Sequence, residues 1–293
     1  MRDRSLLALL ALVAVTAVWG FTFVQVKDAV AIYPLFAFLA VRFAIASLVL
    51  AVPAAPRLRS LGRGGAVAGV ALGLLLAAGY ALQTAGLERT TVSSAGIITG
   101  LYVVFTPLLA LLIFRTRVAA VVWLGVGLAV VGLGLLSGVG AGDPVGDALV
   151  LAGSAAYSLQ IVLMERYAPR YDAVAFTQAE MLAAFGGFTL VAVAVGQIEV
   201  PSGWTVWGAL LVTGIFASAL GFLVQTWAQR RTSATRTALA FAMEPVFAGV
   251  FGFWQAGDRL GAAGWAGCAV IMAGIVVAEP EAGRTLRRLV ARD

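Results

Sequence analysis

Apolar and polar positions along the chain alternate on a long wavelength, with long apolar stretches divided by short polar connections. Ten stretches stand out: residues 6–26, 34–52, 66–87, 92–114, 118–137, 147–165, 173–196, 204–226, 236–256 and 261–279. An α-helix rising about 1.5 Å per residue needs about 20 such residues to cross about 30 Å of hydrocarbon. The runs are too long for barrel strands and show no strand-like alternation. The pattern therefore predicts an all-α integral membrane protein with ten transmembrane helices, and the short connections make residues 1–293 a single membrane domain. Arg2 and Arg4 ahead of the first run resemble the start of a signal peptide. That run continues to Val26 without a clear small-x-small cleavage site, so it is read as a retained helix.

A second regularity lies on top of the first. "GYALQTAGLERT" at 79–90 returns 142 residues later as "GFLVQTWAQRRT" at 221–232. At the same offset Phe105 matches Phe247, Arg117 matches Arg259, Trp123 matches Trp265, Gly125 matches Gly267 and Gly132 matches Gly274. Nearer the N-terminus the offset becomes 138, pairing Trp19 with Tyr157, Tyr33 with Tyr171, Phe38 with Phe176 and Arg42 with Glu180. The chain thus divides into two five-helix units, 1–140 and 141–293. Five is odd, so the second unit starts from the opposite side and the two are inverted repeats. Secondary transporters are built in this way, with the substrate site near the midplane between the repeats.

Composition supports the membrane assignment. Charged residues are 12% of the chain and hydrophobic ones 61%, whereas soluble domains carry about 25% charged residues. With the N-terminus in the cytoplasm, 16 of the 20 Lys and Arg fall on cytoplasmic segments; Lys27, Arg89 and Arg259 fall outside and Arg42 lies within a run. This bias places both termini in the cytoplasm. It also accounts for the net charge of +6, so no nucleic-acid partner is invoked. The tail "RTLRRLVARD" anchors the topology or meets anionic lipid. Histidine is absent and Cys268 is the single cysteine, which leaves little with which to bind a metal or cofactor.

Polar and aromatic residues in mid-run are the candidates for function. Tyr80, Tyr102 and Tyr157 lie near the middles of their runs, where a hydroxyl needs a partner or a wet cavity. The repeat pairs them with Phe222, Glu244 and Trp19. These six line a cavity or pack helix on helix. Polar stripes run alongside, including Thr99, Tyr102 and Thr106 at i, i+3, i+7, which serve a site or interhelical hydrogen bonding. Gln83 and Gln225, kept in both copies, are read as structural. Glu244 precedes Pro245, which frees the carbonyl four residues back; its carboxyl binds a substrate ammonium, holds a coupling proton, or stays protonated against a neighbouring helix. Arg42 and Glu180, at matching positions, are read as snorkelling groups or an ion pair, and Arg42 is suited to a carboxylate if it reaches a cavity. Gly125 with Gly132 and Gly267 with Gly274 mark a close-packing face on the fifth and tenth runs, for scaffold or homo-oligomer contact.

The 5+5 pattern, Trp19-Gly20, "RTTVSSAGIITGLYVVFTPLLALL" in the fourth run and "MEPVFAGVFG" in the ninth resemble the drug/metabolite transporter superfamily. Within it they are similar to the EamA-type branch and its bacterial aromatic amino acid exporters. That resemblance implies export of small metabolites across the bacterial inner membrane through a cavity lined by helices 1, 3, 4, 6, 8 and 9. The expected function is alternating-access export of aromatic and other neutral amino acids and similar metabolites, with Trp19, Tyr80, Tyr102, Tyr157, Phe222, Glu244 and Thr99 binding substrate. Export of another metabolite or a hydrophobic cation is the alternative. An intramembrane hydrolase lacks its histidine or paired aspartates, and a channel lacks its charge rings or carbonyl filter.

Overall fold

The structure, a computed structural model, describes residues 2–136, 143–255 and 261–278, and all its elements are helical. In chain order they are α1 (Arg2–Val30), α2 (Leu35–Ala54), α3 (Leu58–Arg89), α4 (Val92–Thr99), α5 (Tyr102–Phe114), α6 (Ala120–Leu136), α7 (Pro144–Tyr167), α8 (Ala173–Ala194), α9 (Gly203–Leu211), α10 (Gly221–Gln229), α11 (Ala234–Phe241), α12 (Glu244–Gln255) and α13 (Ala262–Ala278). Between α9 and α10 the helix continues as π turns over Val212–Leu220. Seven helical segments are long and apolar enough to cross a membrane, and Ala120–Leu135 and Ala262–Ala278 are shorter apolar helices. The basic tail and Arg259 lie outside the described residues.

Two predicted runs are broken rather than continuous, at matching places. The run 92–114 divides at Gly100–Leu101 and the run 236–256 at Ala242–Met243. At both breaks the bonds tighten to i→i+3, with Val103 N donating to the Gly100 carbonyl at 3.1 Å and Met243 N to the Ala240 carbonyl at 3.2 Å. Pro245 in α12 lacks the N–H that would bond back across the break to the Phe241 carbonyl, whereas Pro107 in α5 frees the Val103 carbonyl within its own helix. The caps match too: the side chains of Thr91 and Ser233 accept from the backbone N–H of Ser94 and Arg236.

Small residues set how closely the helices approach. An ideal Cβ on Gly125 would lie 2.6 Å from the Gly274 carbonyl oxygen, and one on Gly132 would lie 2.7 Å from that of Gly267. The glycine faces of the fifth and tenth runs therefore meet one another, with α6 and α13 antiparallel in the same chain. A second stripe joins α3 to α7: Gly79 and Gly86 stand against Gly153 and Gly146, again antiparallel. Phe38, Phe43, Phe176 and Phe188 fill the interior. The outer surface remains apolar, with Leu48, Val52, Leu112, Leu190 and Trp204 exposed, as a lipid-facing surface requires.

Candidate functional site

The interior holds a cavity between the helices. Trp19, Thr22, Phe23 and Val26 of α1 line it, with Arg42 of α2 and Leu76, Tyr80, Gln83, Thr84 and Leu87 of α3. Thr99 of α4, Tyr102 of α5 and Tyr157, Gln160 and Ile161 of α7 add to it, as do Phe222 and Gln225 of α10, Phe241 of α11 and Glu244 of α12. Of the candidates read from the sequence, Trp19, Tyr80, Tyr102, Tyr157, Phe222, Glu244, Thr99 and Arg42 come together here, and Glu180 lies outside the wall. Gln83 and Gln225 reach the cavity as well as holding helices together. Phe241 and Gln160 were not singled out beforehand. The position matching Phe241 in the first repeat is Thr99.

Aromatic rings form much of the wall. Trp19 packs on Phe241 and Phe222, with ring centroids 4.8 and 5.5 Å apart. Tyr80 meets Tyr157 at 5.4 Å and Phe222 at 6.1 Å. Glycine makes these approaches possible, because a Cβ on Gly79 would fall 2.6 Å from the Tyr157 ring and one on Gly221 would fall 3.1 Å from Trp19 Nε1. The two contacts correspond across the repeat, as Gly79 matches Gly221 and Tyr157 matches Trp19. The π segment adds a partner, since Trp19 Nε1 donates to the Ala217 carbonyl at 2.8 Å. π turns within helices recur at functional sites.

Two ionisable side chains face this space. Arg42, 3% exposed, does not snorkel to a membrane surface. Its Nε donates to Ser218 Oγ at 2.8 Å and its Nη2 to Tyr80 Oη at 3.0 Å, and the guanidinium lies 4.4 Å from the Tyr80 ring centroid. No ion pair joins it to Glu180 among the described residues; those pairs are Arg57–Asp172 and Arg89–Asp143, both near helix ends. The guanidinium has five N–H donors, so these two bonds leave it capacity for an anion.

Glu244 also lines the cavity and is 5% exposed. Tyr102 Oη is 2.5 Å from the Phe241 carbonyl oxygen and 2.9 Å from Glu244 Oε2. Pro245 has no N–H to offer that carbonyl, so the tyrosine hydroxyl caps it. One hydroxyl hydrogen cannot serve two acceptors. A proton on Glu244 lets Glu244 donate to Tyr102 and Tyr102 donate to Phe241, which satisfies all three groups. Thr99 Oγ1 accepts from Gln83 Nε2 at 2.9 Å, and Tyr157 Oη donates to Gln83 Oε1 at 3.0 Å.

Outside the membrane-spanning segments, the Val145 backbone N–H and the Arg89 side chain hold the Asp143 carboxyl below its ordinary range. Burial and the nearby Glu199 push the Tyr33 hydroxyl up. Among the described residues no cluster of three or more His, Cys, Asp or Glu side chains is placed to hold a metal ion.

The EamA-like transporter family matches the chain twice, over residues 6–138 and again over 144–278. The chain belongs to this family. An uncharacterized transporter of Archaeoglobus fulgidus is 31% identical over 280 residues, covering 94% of this chain and 86% of the relative. The uncharacterized transporter YyaM of Bacillus subtilis is 27% identical over 205 residues, 65% of this chain and 66% of YyaM. A protein known from its crystal structure shares the fold, with TM-score 0.74, 19% identity and coverage of 95% of this chain and 98% of the other. For an EamA-like transporter the central cavity is the natural place for a substrate. Its wall offers a cation at Arg42, a carboxyl at Glu244 and several aromatic faces.

Proposed function

We propose that this protein exports aromatic and other neutral amino acids, and similar small metabolites, across the bacterial inner membrane by alternating access. The observation that carries the reading is the presence of Arg42 and Glu244 in one aromatic-lined cavity, a match to the carboxylate, ammonium and apolar side chain of a neutral amino acid. Trp19, Tyr80, Tyr157 and Phe222 would hold the side chain, with cation–π attraction adding to the hold on the ammonium. Tyr102 and Thr99 would orient the polar end. A hydrophobic cation or drug, or another metabolite, is the alternative; Arg42 in the same wall disfavours a lone cation.

The architecture that serves this function is ten transmembrane helices in two inverted halves, 1–140 and 141–293, with both termini cytoplasmic. Contacts between matching residues support the inversion, because Tyr102 bonds to Glu244, its counterpart 142 residues on, and Tyr80 packs on Phe222 in the same way. The arginine bias supports the orientation. Any homo-oligomer contact through α6 and α13 would use their outer faces, since their glycines already meet.

The test is counterflow and uptake of labelled phenylalanine, methionine and threonine in proteoliposomes. Saturable transport of at least one is expected. If none is transported saturably, the amino-acid reading falls.

A further inference from the structure

Arg42 is a buried cation that no carboxylate neutralises. It is 3% exposed, lines the cavity and forms no ion pair among the described residues. A charge held at such depth is costly unless function requires it. Much of what holds it comes from the π turns between α9 and α10.

Those turns meet Arg42 twice. Gly214 packs on its backbone: an ideal Cβ there would lie 3.0 Å from the Arg42 carbonyl oxygen and 2.8 Å from Ile45 Cγ2, so a larger residue would push the segment off α2. One turn on, Ser218 Oγ accepts from Arg42 Nε at 2.8 Å. Ser218 is 0% exposed and lies behind the cavity wall rather than in it. The residue before it, Ala217, holds Trp19. In an α-helix the Gly221 N–H would bond to the Ala217 carbonyl. Here it donates to the carbonyls of Phe216 and Ser218, and Trp19 Nε1 donates to that of Ala217 at 2.8 Å. Two consecutive residues of the π segment thus fix one cation and one aromatic ring of the cavity wall.

The serine goes with the arginine. In the other copy of the repeat Arg42 is matched by Glu180 and Ser218 by Leu76. An acceptor stands where there is a guanidinium, and an aliphatic side chain stands where there is a carboxyl. Positions that only pack or cap are kept nearby, as in Gly79 with Gly221 and Thr84 with Thr226. Joint replacement of the cation and the hydroxyl fits a role for Ser218 toward Arg42 rather than toward its own helix.

The same bonds decide which edge of the guanidinium is left. Ser218 takes Nε, and Tyr80 Oη accepts from Nη2 at 3.0 Å. Nη1 has no partner among the described residues, and Nη2 has a second N–H to give. What remains is the end of the fork formed by Nη1 and Nη2, and two parallel N–H···O bonds from such an end match a carboxylate. Tyr80 serves Arg42 as an acceptor, so its own O–H remains a further donor. The group is rich in donors and poor in acceptors, which suits an anion and repels an ammonium.

We propose that Ser218 is a positioning residue that sets Arg42 to receive a substrate carboxylate, so that the cavity selects carboxylates over amines of similar shape. The proposal rests on the reading of this cavity as the substrate site. Ser218 touches no substrate. It holds the Nε edge against the π turns and thereby presents the Nη end at a fixed angle, which spares a substrate the cost of ordering a long side chain. A hydrophobic cation without a carboxylate gains nothing from the arrangement.

Calorimetric binding of two probes to the full-length protein in lipid nanodiscs tests this. Phenylpropionate carries a ring and a carboxylate; phenylethylamine carries a ring and an ammonium. The wild type should bind phenylpropionate, and Ser218→Ala should weaken that binding about tenfold, as expected for a lost hydrogen bond to a charged group. The affinity for phenylethylamine should change by less than about twofold. Ser218→Thr, which keeps the hydroxyl, should bind phenylpropionate as the wild type does. A purely structural role would move both probes together. Equal losses for the two probes, no loss for phenylpropionate, or no binding of phenylpropionate by the wild type overturns the proposal. Should Ser218→Ala not fold, Ser218→Cys puts a weak acceptor of similar size in its place and should show the same selective loss; wild-type affinity for phenylpropionate in that variant overturns the proposal equally. If the protein transports no amino acid yet binds phenylpropionate in this Ser218-dependent way, the amino-acid reading falls and the carboxylate site stands.

Discussion

The two ends of the bundle are built on one plan and furnished differently. Where α1 and α3 finish, the plan holds Thr22, Gln83 and Leu87, and space extends between them. Where α7 and α10 finish, the same positions hold Gln160, Gln225 and Gln229, bonded into a chain that fills the space. The repeated residues position the helices: the glycines, the Gln-Thr pairs, the caps and the two breaks. Residues that differ between the copies make the two ends and the cavity wall unlike. Leu87 against Gln229, Phe222 against Tyr80 and Tyr102 against Glu244 are three such differences, and each can be tested by substitution.

The largest effect should come from the midplane pair. Glu244→Gln keeps the shape of the side chain and removes its charge and its proton. A hydrogen bond to a charged group contributes about 1.5–3 kcal/mol, and each 1.4 kcal/mol is about tenfold. Phenylalanine uptake should therefore fall by about 10- to 100-fold. Normal uptake by this variant would remove Glu244 from the site.

Giving the shut end the residue of the other end should have the next largest effect. Gln229→Leu deletes the bonds to Ile161 and Gln225, each worth about 1 kcal/mol, so the balance between the two ends should move by roughly 30-fold. The readout is reaction with a membrane-impermeant thiol reagent, in protein with Cys268 replaced by alanine, at Val26→Cys and at Met164→Cys. Without the Gln229 change Val26→Cys should react faster, and with it the two rates should converge. A ratio that does not move would mean that the chain does not hold that end.

Much of this was legible in the sequence, and what was not has physical causes. The three repeat pairs Trp19/Tyr157, Tyr80/Phe222 and Tyr102/Glu244 stood out because a hydroxyl, an indole or a carboxyl in a hydrocarbon run requires a reason. All six line the cavity. Phe241 carried no such signal, because a phenylalanine in an apolar run is what lipid or core would also select. The π turns over 212–220 were invisible for a similar reason, since their apolar residues suit an α-helix equally well. Gly79, Gly86, Gly146 and Gly153 were spaced like the stripe that was recognised, but the pairing of α3 with α7 is a tertiary fact. Glu180 was noticed for its charge; its place one amide behind the wall depends on Gln160, which lies 20 residues away in sequence and in another helix.

A smaller effect should separate Tyr80 from Phe222. Tyr80→Phe removes one bond to the charged Arg42, worth about 1.5 kcal/mol, and the Michaelis constant for phenylalanine should rise about tenfold with little change in maximal rate. Phe222→Tyr adds a hydroxyl opposite no cation and should change it less. Equal effects would mean that the two positions are interchangeable and that Arg42 is not oriented by Tyr80.

The smallest effect belongs outside the bundle, at the arginines that close the repeated phrase. Arg231 donates to the Trp227 carbonyl within its own turn, whereas its counterpart Arg89 donates through Nε to Asp143 Oδ2 at 3.2 Å. Asp143 also caps α7 by accepting from Val145 N at 2.9 Å. These partners hold its carboxyl below the ordinary range in the folded state. A depressed value means that the group adds to stability in full above the unfolded-state value near 3.9, and that this addition is lost as pH falls through the folded value. Asp143→Asn keeps the cap and removes the charge, so its midpoint of thermal unfolding should lie roughly 1 °C or less below wild type at neutral pH. The two curves should merge in acid. A gap that persists unchanged below the folded value would show that the Arg89 contact acts through shape rather than through charge.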